Sequence, residues 1–376
     1  MNAGLIIYGS LDLVSGGYLY DRLLVDHLRQ RGARVENLSL PWRNYFCHLT
    51  DNFSRSLPRA VEAMSPDLLL QDELNHPSLF HLNQRLQKKL KGPIIVIVHH
   101  LRSSEMRPAW QNSLYRCVEK RYLQTADGFV FNSETTHAVV RELLGGDPPS
   151  VVAYPGGDHL GSRISIEKIA ERCRRPGPLR ILFAGNVIPR KGLHILVSAL
   201  GRLAHESWQL TVAGSLSADA RYAGRIRRLI AESGLGERVR LLDAVPSGQL
   251  VGLLESHHCL AVPSSYEGFG IVYLEAMRFG APVFATTAGA VPEVVTNGCE
   301  GFLVAPGDAG ALAEAVDRLI RDRNLLLAMS LAAWKRSLGH PTWAESAARV
   351  EEFLLEAIKL KEAVARKGGC AHDCPR

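Results

Sequence analysis

The chain lacks long hydrophobic runs. No apolar stretch in its 376 residues reaches the roughly 18 residues that a membrane-spanning helix needs. No charged N-terminal region precedes a long apolar stretch, so we expect no signal peptide. Cysteine is also scarce, with seven residues that are mostly scattered along the chain. This usage predicts reduced thiols and a cytoplasmic protein.

A strong excess of one charge is also missing. The net charge is +6, and it is spread along the chain rather than gathered in a tail. Neither a zinc-finger spacing nor an RNP-like aromatic pattern is present, so we predict no nucleic-acid partner. The positive net charge favours an anionic ligand. Two basic stretches lie at 85–91 and 102–121, and the second contains Trp110 and Tyr115. They are consistent either with peripheral contact with a membrane surface or with an ordinary solvated charged face.

What the chain does contain is a regular alternation of strands and helices, over a length that suits two domains. Continuous apolar strands predict parallel sheets covered on both faces, with ligands at the carboxyl ends of the strands. The predicted strands lie at 5–9, 34–38, 68–71, 94–98, 128–132 and 151–154 in the first half, and at 179–184, 210–214, 239–242, 258–262, 282–285 and 301–304 in the second.

The stretch from 262 to 277 has the most specific pattern. A buried strand leads into a glycine-containing loop, and a helix is predicted to begin at Ile271, so unpaired N–H groups at its start would favour an anion. Glu267 lies in the loop and Glu275 about one turn into the helix. A carboxylate accepts two adjacent hydroxyl donors. A nucleotide sugar has such pairs on its ribose and its hexose, with a diphosphate between them.

A basic loop follows the predicted strand at 179–184. Arg190 and Lys191 lie where a helix begins, and such a pair can hold a diphosphate. A solvated surface pair is the alternative interpretation.

The first half has weaker signals. Gly16 and Gly17 follow the first strand as in a Rossmann-like unit, but the spacing is not G-x-G-x-x-G, which disfavours an NAD enzyme. His99 directly follows the predicted strand at 94–98, and His100 is the next residue. An isolated histidine there is more often structural than ligand-binding. Ser133 follows the next strand, where it is either a helix N-cap or part of a ligand site.

The pair of glutamates, Glu267 and Glu275 with seven residues between them, resembles the E-x7-E signature of retaining GT-B glycosyltransferases. The resemblance is in particular to the GT4-like family, glycosyl transferases group 1. The loop at 185–192 resembles the G-R-x4-K-G loop of that family, with Lys191 in the position of its lysine. Asn186 stands where the family commonly has arginine, and Arg190 is a candidate for supplying that charge. The loop at 289–293 resembles the family's G-G-x-x-E loop more weakly.

The resemblance implies a GT-B fold, with two Rossmann-like parallel-sheet domains facing across a cleft and a C-terminal helix that crosses back to the first domain. We assign an acceptor-side domain to 1–160, a linker to 161–178 and a donor domain to 179–340. A crossover helix at 341–364 and a disordered tail at 365–376 complete the chain. Cys370, His372 and Cys374 in the tail are too few to predict a metal site.

The same resemblance implies retaining, metal-independent transfer of a hexose from a nucleotide-diphosphate sugar to an acceptor hydroxyl, without a cofactor. Glu275 would hold the ribose and Glu267 the hexose, and His99 would contact the transferred sugar. The catalytic residues implied are His99, Glu267, Arg190 and Lys191. The donor-binding residues are Gly16, Gly17, Ser133, Gly185, Asn186, Arg190, Lys191, Glu267, Gly268, Phe269, Gly270, Ile271 and Glu275, and no metal ligand is predicted.

Other functions remain open from the sequence. A GT-B-like phosphorylase or nucleotide-sugar epimerase would share the fold, and Asn186 leaves room for a non-catalytic member that only binds a nucleotide sugar. The acceptor is equally open among polysaccharide ends, lipid-linked sugars and small molecules.

Overall fold

Two parallel β-sheets, each covered by helices, organise the chain. The computed structural model describes residues 1–161, 163–203 and 207–369. Residues 1–155 and the segment from Trp343 onward form one unit, and residues 156–342 form another. Each unit is an α/β layer structure, and the predicted class of two Rossmann-like units is confirmed.

The sheet of the first unit has the strand order β2-β1-β3-β4-β5-β6, with every neighbouring pair parallel. Its strands are β1 (Asn2–Tyr8), β2 (Arg34–Leu40), β3 (Leu68–Asp72), β4 (Ile94–Val98), β5 (Gly128–Phe131) and β6 (Ser150–Val152). The central strands β3 and β4 are buried along their whole length. This burial explains why they are continuous apolar runs rather than alternating ones.

Helices connect these strands. They are α1 (Gly16–Gln30), α2 (Tyr45–Leu49), α3 (Ser56–Met64), α4 (His76–Leu79), α5 (Leu82–Gln87), α6 (Ala109–Leu123) and α7 (Glu134–Leu144). Short 3-10 turns occur at Thr50–Phe53, Glu73–Asn75 and Arg102–Ser104.

The second unit repeats the architecture with the order β12-β11-β10-β7-β8-β9. Its strands are β7 (Leu179–Ala184), β8 (Trp208–Ala213), β9 (Val239–Leu242), β10 (Cys259–Ala261), β11 (Val283–Thr286) and β12 (Gly301–Val304). Its helices are α8 (Ile166–Arg174), α9 (Leu193–Leu200), α10 (Ala220–Glu232), α11 (Ser247–Ser256), α12 (Ile271–Arg278), α13 (Val291–Val294), α14 (Ala309–Arg321) and α15 (Arg323–Leu338), with a 3-10 turn at Pro189–Lys191.

The strand orders fix where each unit can bind a ligand. Each sheet is built outward from one strand in both directions, so that β1 lies beside β3 in the first unit and β7 beside β10 in the second. The loops after such neighbouring strands diverge and leave a crevice at their carboxyl ends. The sequence-predicted side chains after β4, β7 and β10 lie at these ends of the sheets.

The last helix, α16 (Trp343–Gly369), belongs to the first unit, as predicted for a crossover helix. Glu351 accepts a hydrogen bond from His27 Nε2 at 2.9 Å, and Lys361 Nζ lies 2.6 Å from Asp127 Oδ1. The helix includes residues 365–369, which were predicted as the start of a disordered tail. The rest of that predicted tail, residues 370–376 with Cys370, His372 and Cys374, lies outside the described residues. No helix in the described part of the chain is long and apolar enough to cross a bilayer.

The segment 161–178, predicted as a linker, contains helix α8 of the second unit. Ile169 and Cys173 on this helix are fully buried. Arg172 is also buried, and its guanidinium donates hydrogen bonds of 2.6–3.2 Å to four carbonyl oxygens, those of residues 254, 255, 279 and 280. The basic composition of this segment suggested a solvated linker, but one of its arginines faces inward and donates to backbone carbonyl groups.

The buried role of Arg172 leads to a stability prediction. Arg172→Ala leaves four carbonyl groups, three of them buried, without this donor, so we expect the second unit to lose roughly 3 kcal/mol of unfolding free energy. Urea unfolding monitored by circular dichroism measures the change. The neighbouring exposed Arg174→Ala should stay within about 0.5 kcal/mol of the wild type. Equal stabilities of the two variants would contradict the assignment.

Candidate functional site

Glu267 is the centre of the candidate site in the second unit. It lies in the loop between β10 and α12 and is only 5% exposed. Its carboxylate accepts hydrogen bonds from Lys191 Nζ at 2.7 Å and from the Ser264 hydroxyl at 2.5 Å. Arg190 Nη1 lies 3.5 Å from the second carboxylate oxygen. The structure thus brings the predicted acid together with both predicted cations.

These partners determine the charge of Glu267. Burial alone would raise the pKa of this carboxyl, but the charges of Lys191 and Arg190, with hydrogen bonds from Lys191 and Ser264, lower the pKa to about 2. Burial lowers the pKa of Lys191, and the charge of Glu267 opposes that change. Glu267 is therefore a carboxylate at neutral pH, which accepts hydrogen bonds from hydroxyl groups and does not donate them.

The loop that starts at Gly289 holds the main chain of Glu267. The Glu267 carbonyl accepts a hydrogen bond of 3.0 Å from the Ala290 N–H. Gly289 has a φ of +67°, and a Cβ atom there would lie 2.0 Å from the same carbonyl oxygen. Only glycine permits this conformation and this approach. The loop with weak sequence similarity thus fixes the backbone of the acid.

The basic loop after β7 is attached directly to the Glu267 loop. Arg190 Nη1 donates a hydrogen bond of 2.9 Å to the Tyr266 carbonyl. The Lys191 side chain passes the backbone of Gly185, with its Cε 3.6 Å from where a Cβ would stand. Asn186 follows in the same loop, and its carbonyl accepts a main-chain hydrogen bond that closes a short turn. Arg190, rather than the residue after Gly185, is the arginine that reaches the acid.

Glu275 lies on α12 and is 7% exposed. Its Oε1 is 3.1 Å from His159 Nε2, a contact that the sequence analysis did not foresee. The charge of Glu275 also acts to raise the pKa of Lys191. The two glutamates of the E-x7-E pattern therefore influence a common lysine.

The residues between Glu267 and α12 form the start of the helix. Gly268 lies in the loop, and Phe269 is buried with its ring centroid 5.8 Å from that of His340. Gly270 is the N-cap residue and Ile271 is the first residue of α12. This helix end is the position at which the sequence predicted an anion.

His99 is the centre of a second polar cluster, in the first unit. Its Nε2 lies 3.0 Å from Asp21 Oδ1, and its backbone N–H donates a hydrogen bond of 3.0 Å to Glu73 Oε2. Asn132 Nδ2 donates to the His99 carbonyl at 2.9 Å. The neighbouring His100 instead contacts Glu105. His99 is therefore held through both its ring and its main chain.

Three acids surround this histidine, and all are buried: Asp21, Asp72 and Glu73. Burial raises the pKa of Asp72 well above its ordinary value, and the charges of Glu73 and Asp21 act in the same direction. Burial would lower the pKa of His99, but the adjacent Asp21 carboxylate raises it overall. Asp21, Asp72 and His99 each have a potential metal-ligand atom within 4.8 Å of the others. The Asp21–His99 contact has hydrogen-bond length, so a proton accounts for it without a cation.

The remaining predicted residues of the first unit lie at helix starts. Gly16 is the first residue of α1, and Gly17 follows it. The Ser133 hydroxyl accepts a hydrogen bond of 3.1 Å from the Thr136 N–H and so caps α7. The N-cap interpretation of Ser133 therefore describes its observed contact.

The sequence analysis missed Ser264, His159, Asp21 and Glu73. Ser264 was inside the pattern that identified Glu267, three residues earlier, and could have been named from that spacing. Asp21 is four residues after Gly17, so the two share a helix face. His159 and Glu73 meet their partners through tertiary packing, for which the chain carries no local signal.

Two family models match the chain. Glycosyl transferase 4-like domain matches residues 12–157, and glycosyl transferases group 1 matches residues 165–336. Among curated proteins, D-inositol 3-phosphate glycosyltransferase of Nocardia farcinica is 31% identical over 247 residues, covering 64% of this chain and 54% of that protein. The enzyme of the same name from Corynebacterium efficiens is 27% identical over 274 residues, covering 70% and 64%. The matched region thus spans less than two thirds of these relatives.

Solved structures agree on the fold. Sucrose-phosphate synthase from Thermosynechococcus elongatus has a TM-score of 0.79 at 21% identity, covering 97% of this chain and 99% of that one. Anabaena HepE, solved in complex with UDP-glucose, has a TM-score of 0.76 at 18% identity, covering 95% and 100%. At these identities the likeness establishes the architecture.

The low pKa of Glu267 predicts an acid-dependent stability. Because the pKa is lower in the folded than in the unfolded chain, the stabilisation is complete above the unfolded value and is lost as the pH falls toward 2. We expect the unfolding free energy of the wild type, relative to Glu267→Gln, to fall by roughly 2 kcal/mol between pH 6 and pH 3. Urea unfolding at several pH values measures this, with the exposed Glu232→Gln as the control. A difference independent of pH would show that Glu267 is not held as a carboxylate.

Proposed function

Because this chain belongs to the group 1 glycosyltransferases with a 4-like N-terminal domain, we propose that it transfers a hexose from a nucleotide-diphosphate sugar to an acceptor hydroxyl with retention of configuration. The observation that carries the proposal is the contact of Lys191 and Arg190 with the ionised Glu267 at the carboxyl ends of β7 and β10. The complex of HepE with UDP-glucose supports a donor of this class.

The charges of this group suit a diphosphate beside a sugar. Two cations face one carboxylate, so the loops retain an excess positive charge for an anionic ligand. The N-terminal end of α12 adds backbone N–H groups and a favourable dipole. We assign the diphosphate to Lys191, Arg190 and this helix end, the hexose hydroxyls to Glu267 and the ribose hydroxyls to Glu275. His159 then shares Glu275 with the ribose.

The proposed mechanism depends on stabilising the leaving group. As the bond between the sugar and the phosphate breaks, negative charge grows on the diphosphate, and fixed cations lower the energy of that state. The attacking hydroxyl passes its proton to a leaving phosphate oxygen, so no protein nucleophile is required. A pKa near 2 makes Glu267 unsuitable as a proton donor at neutral pH and suitable as a hydroxyl acceptor. We propose that these side chains suffice without a metal ion or cofactor.

The remaining residues of the assignment belong to the first unit. In this assignment His99 contacts the transferred sugar, while Gly16, Gly17 and Ser133 lie at the starts of the helices that follow β1 and β5. The acceptor is a hydroxyl compound whose class stays open. A binding protein without turnover is the second candidate, because Asn186 departs from the family pattern.

We also propose peripheral contact of the first unit with an anionic membrane surface. Met106 and Trp110 are 74% and 68% exposed, and the guanidinium groups of Arg102 and Arg107 lie 4.9 and 5.5 Å from the ring centre of Tyr115. Exposed apolar side chains beside cations are typical of interfacial binding.

Among the described residues Cys47, Cys117, Cys173, Cys259 and Cys299 are free, which supports a reducing compartment such as the cytoplasm.

Nucleotide binding and turnover test the proposed transfer. In a thermal-shift panel of UDP, GDP, ADP, TDP and NAD, we expect one nucleoside diphosphate to raise the Tm, with or without EDTA. Lys191→Ala should abolish the shift. In the presence of the matching sugar nucleotide and acceptor, Lys191→Ala and Glu267→Ala should each lower turnover by at least about 100-fold, because charge stabilisation or sugar binding is lost.

Lys168→Ala and Glu232→Gln, both at exposed positions of the second unit, should behave as the wild type. A shift with NAD alone would reject the proposal, and so would full turnover in Lys191→Ala or Glu267→Ala. A shift without turnover would support the binding protein. Release of the free sugar phosphate only with added phosphate, or an altered donor sugar without transfer, would identify a phosphorylase or an epimerase.

Membrane contact predicts binding to vesicles of anionic lipid and not to vesicles of neutral lipid. Trp110→Ala removes an exposed aromatic ring, so we expect roughly tenfold weaker binding in a flotation assay. Leu360→Ala removes a similarly exposed apolar side chain from α16 and should leave binding unchanged. Equal flotation of the wild type and Trp110→Ala would exclude this surface.

A further inference from the structure

Asp21 is a buried acid that the proposed mechanism does not use. It lies on α1, the helix that begins at Gly16, and its side chain is fully buried. A buried carboxylate is costly unless a donor satisfies it. The donor here is His99 Nε2, at 3.0 Å from Asp21 Oδ1.

The contacts of His99 define which edge of its ring is available. A Cβ atom added at Gly17 would lie 3.0 Å from Cδ2 and 3.4 Å from Cγ and Nε2. The edge formed by Cδ2 and Nε2 therefore faces α1, and Gly17 is the residue that leaves room for it. Among the described residues Nδ1, on the opposite side of the ring, makes no hydrogen bond.

The main chain of His99 prevents the ring from simply moving away. Glu73 accepts from its N–H and Asn132 donates to its carbonyl, while the Tyr20 ring packs 5.4 Å from the imidazole. Both hydrogen-bond partners are themselves buried. The ring is thus fixed in position, and the remaining variable is which nitrogen carries the proton.

Hydrogen-bond chemistry decides that variable. An ionised carboxylate only accepts hydrogen bonds, so the nitrogen that faces Asp21 must be the one that carries hydrogen. In the neutral ring the lone pair is then on Nδ1, which becomes an acceptor. A sugar hydroxyl is the ligand group that suits such an acceptor, because it can donate a hydrogen bond while its oxygen accepts one elsewhere.

We propose that Asp21 is a positioning residue, which keeps a proton on Nε2 of His99 and so, in the neutral ring, presents Nδ1 as the acceptor for a hydroxyl group of a substrate sugar. This inference rests on the proposed function, since it assigns the partner of His99 in that reaction. Asp21 itself acts only through His99. A sugar that lacks the matching hydroxyl would lose the contact and be transferred more slowly.

The proton position is measured directly by NMR of protein labelled with 15N-histidine, at an alkaline pH at which the ring is neutral. Long-range proton–nitrogen correlations distinguish the two tautomers, and His99→Gln identifies the signal. We expect the wild type to show hydrogen on Nε2. Asp21→Asn, whose amide can donate to that nitrogen, should show hydrogen on Nδ1 for a substantial fraction of the molecules. Asp26→Asn, an exposed change on the same helix, should match the wild type.

Kinetics then separate positioning from folding. Asp21→Asn should lower kcat by about ten- to a hundredfold, the loss of one hydrogen bond to the reacting sugar. The affinity for the nucleoside diphosphate should be unchanged, because its proposed contacts belong to the second unit. Asp26→Asn should keep the wild-type kcat, and circular dichroism confirms that both variants fold.

Two results would overturn the inference: wild-type protein with hydrogen mainly on Nδ1, or an Asp21→Asn variant with wild-type tautomer and wild-type kcat. Failure of the proposed function has a different signature, because the wild type would then show no transfer with any donor. The NMR measurement still decides the role of Asp21 in that case.

Discussion

The structure of the candidate site depends on keeping a buried carboxylate ionised. Glu267 loses nearly all its contact with water, and burial alone would protonate it. Two cations from one loop and a hydroxyl from its own loop reverse that tendency. Because each partner must approach to hydrogen-bond distance, the loops after β7 and β10 have little freedom to separate. The ion pair therefore fixes the shape of the site as well as its charge.

The parallel sheet supplies the geometry that this ion pair needs. Neighbouring strands β7 and β10 are separated by about 75 residues in the chain, yet their ends are adjacent. Only a parallel arrangement with crossover helices places two such loops side by side. The same rule explains the first unit, in which residues that follow β3 and β4 meet a helix that follows β1. Both sites are consequences of strand order.

The sequence was informative where local pattern determines structure. All twelve predicted strands have counterparts in the structure. Glu267, Arg190 and Lys191 were named together because each carries a local signal in its loop. The pairings of Glu275 with His159 and of Asp21 with His99 carry no such signal. They arise from tertiary packing. The inward orientation of Arg172 does so as well, and it lies on a helix within the segment that was predicted to be a linker.

The two units solve a similar electrostatic problem in different ways. In the second unit permanent cations neutralise the acid, so its charge state changes little between pH 5 and 8. In the first unit three buried acids surround one histidine, and burial raises the pKa of Asp72 well above its ordinary value. The charge there depends on protons rather than on fixed cations. A site for a charged diphosphate requires the first arrangement, whereas a site for neutral hydroxyl groups requires only that each proton has a defined position.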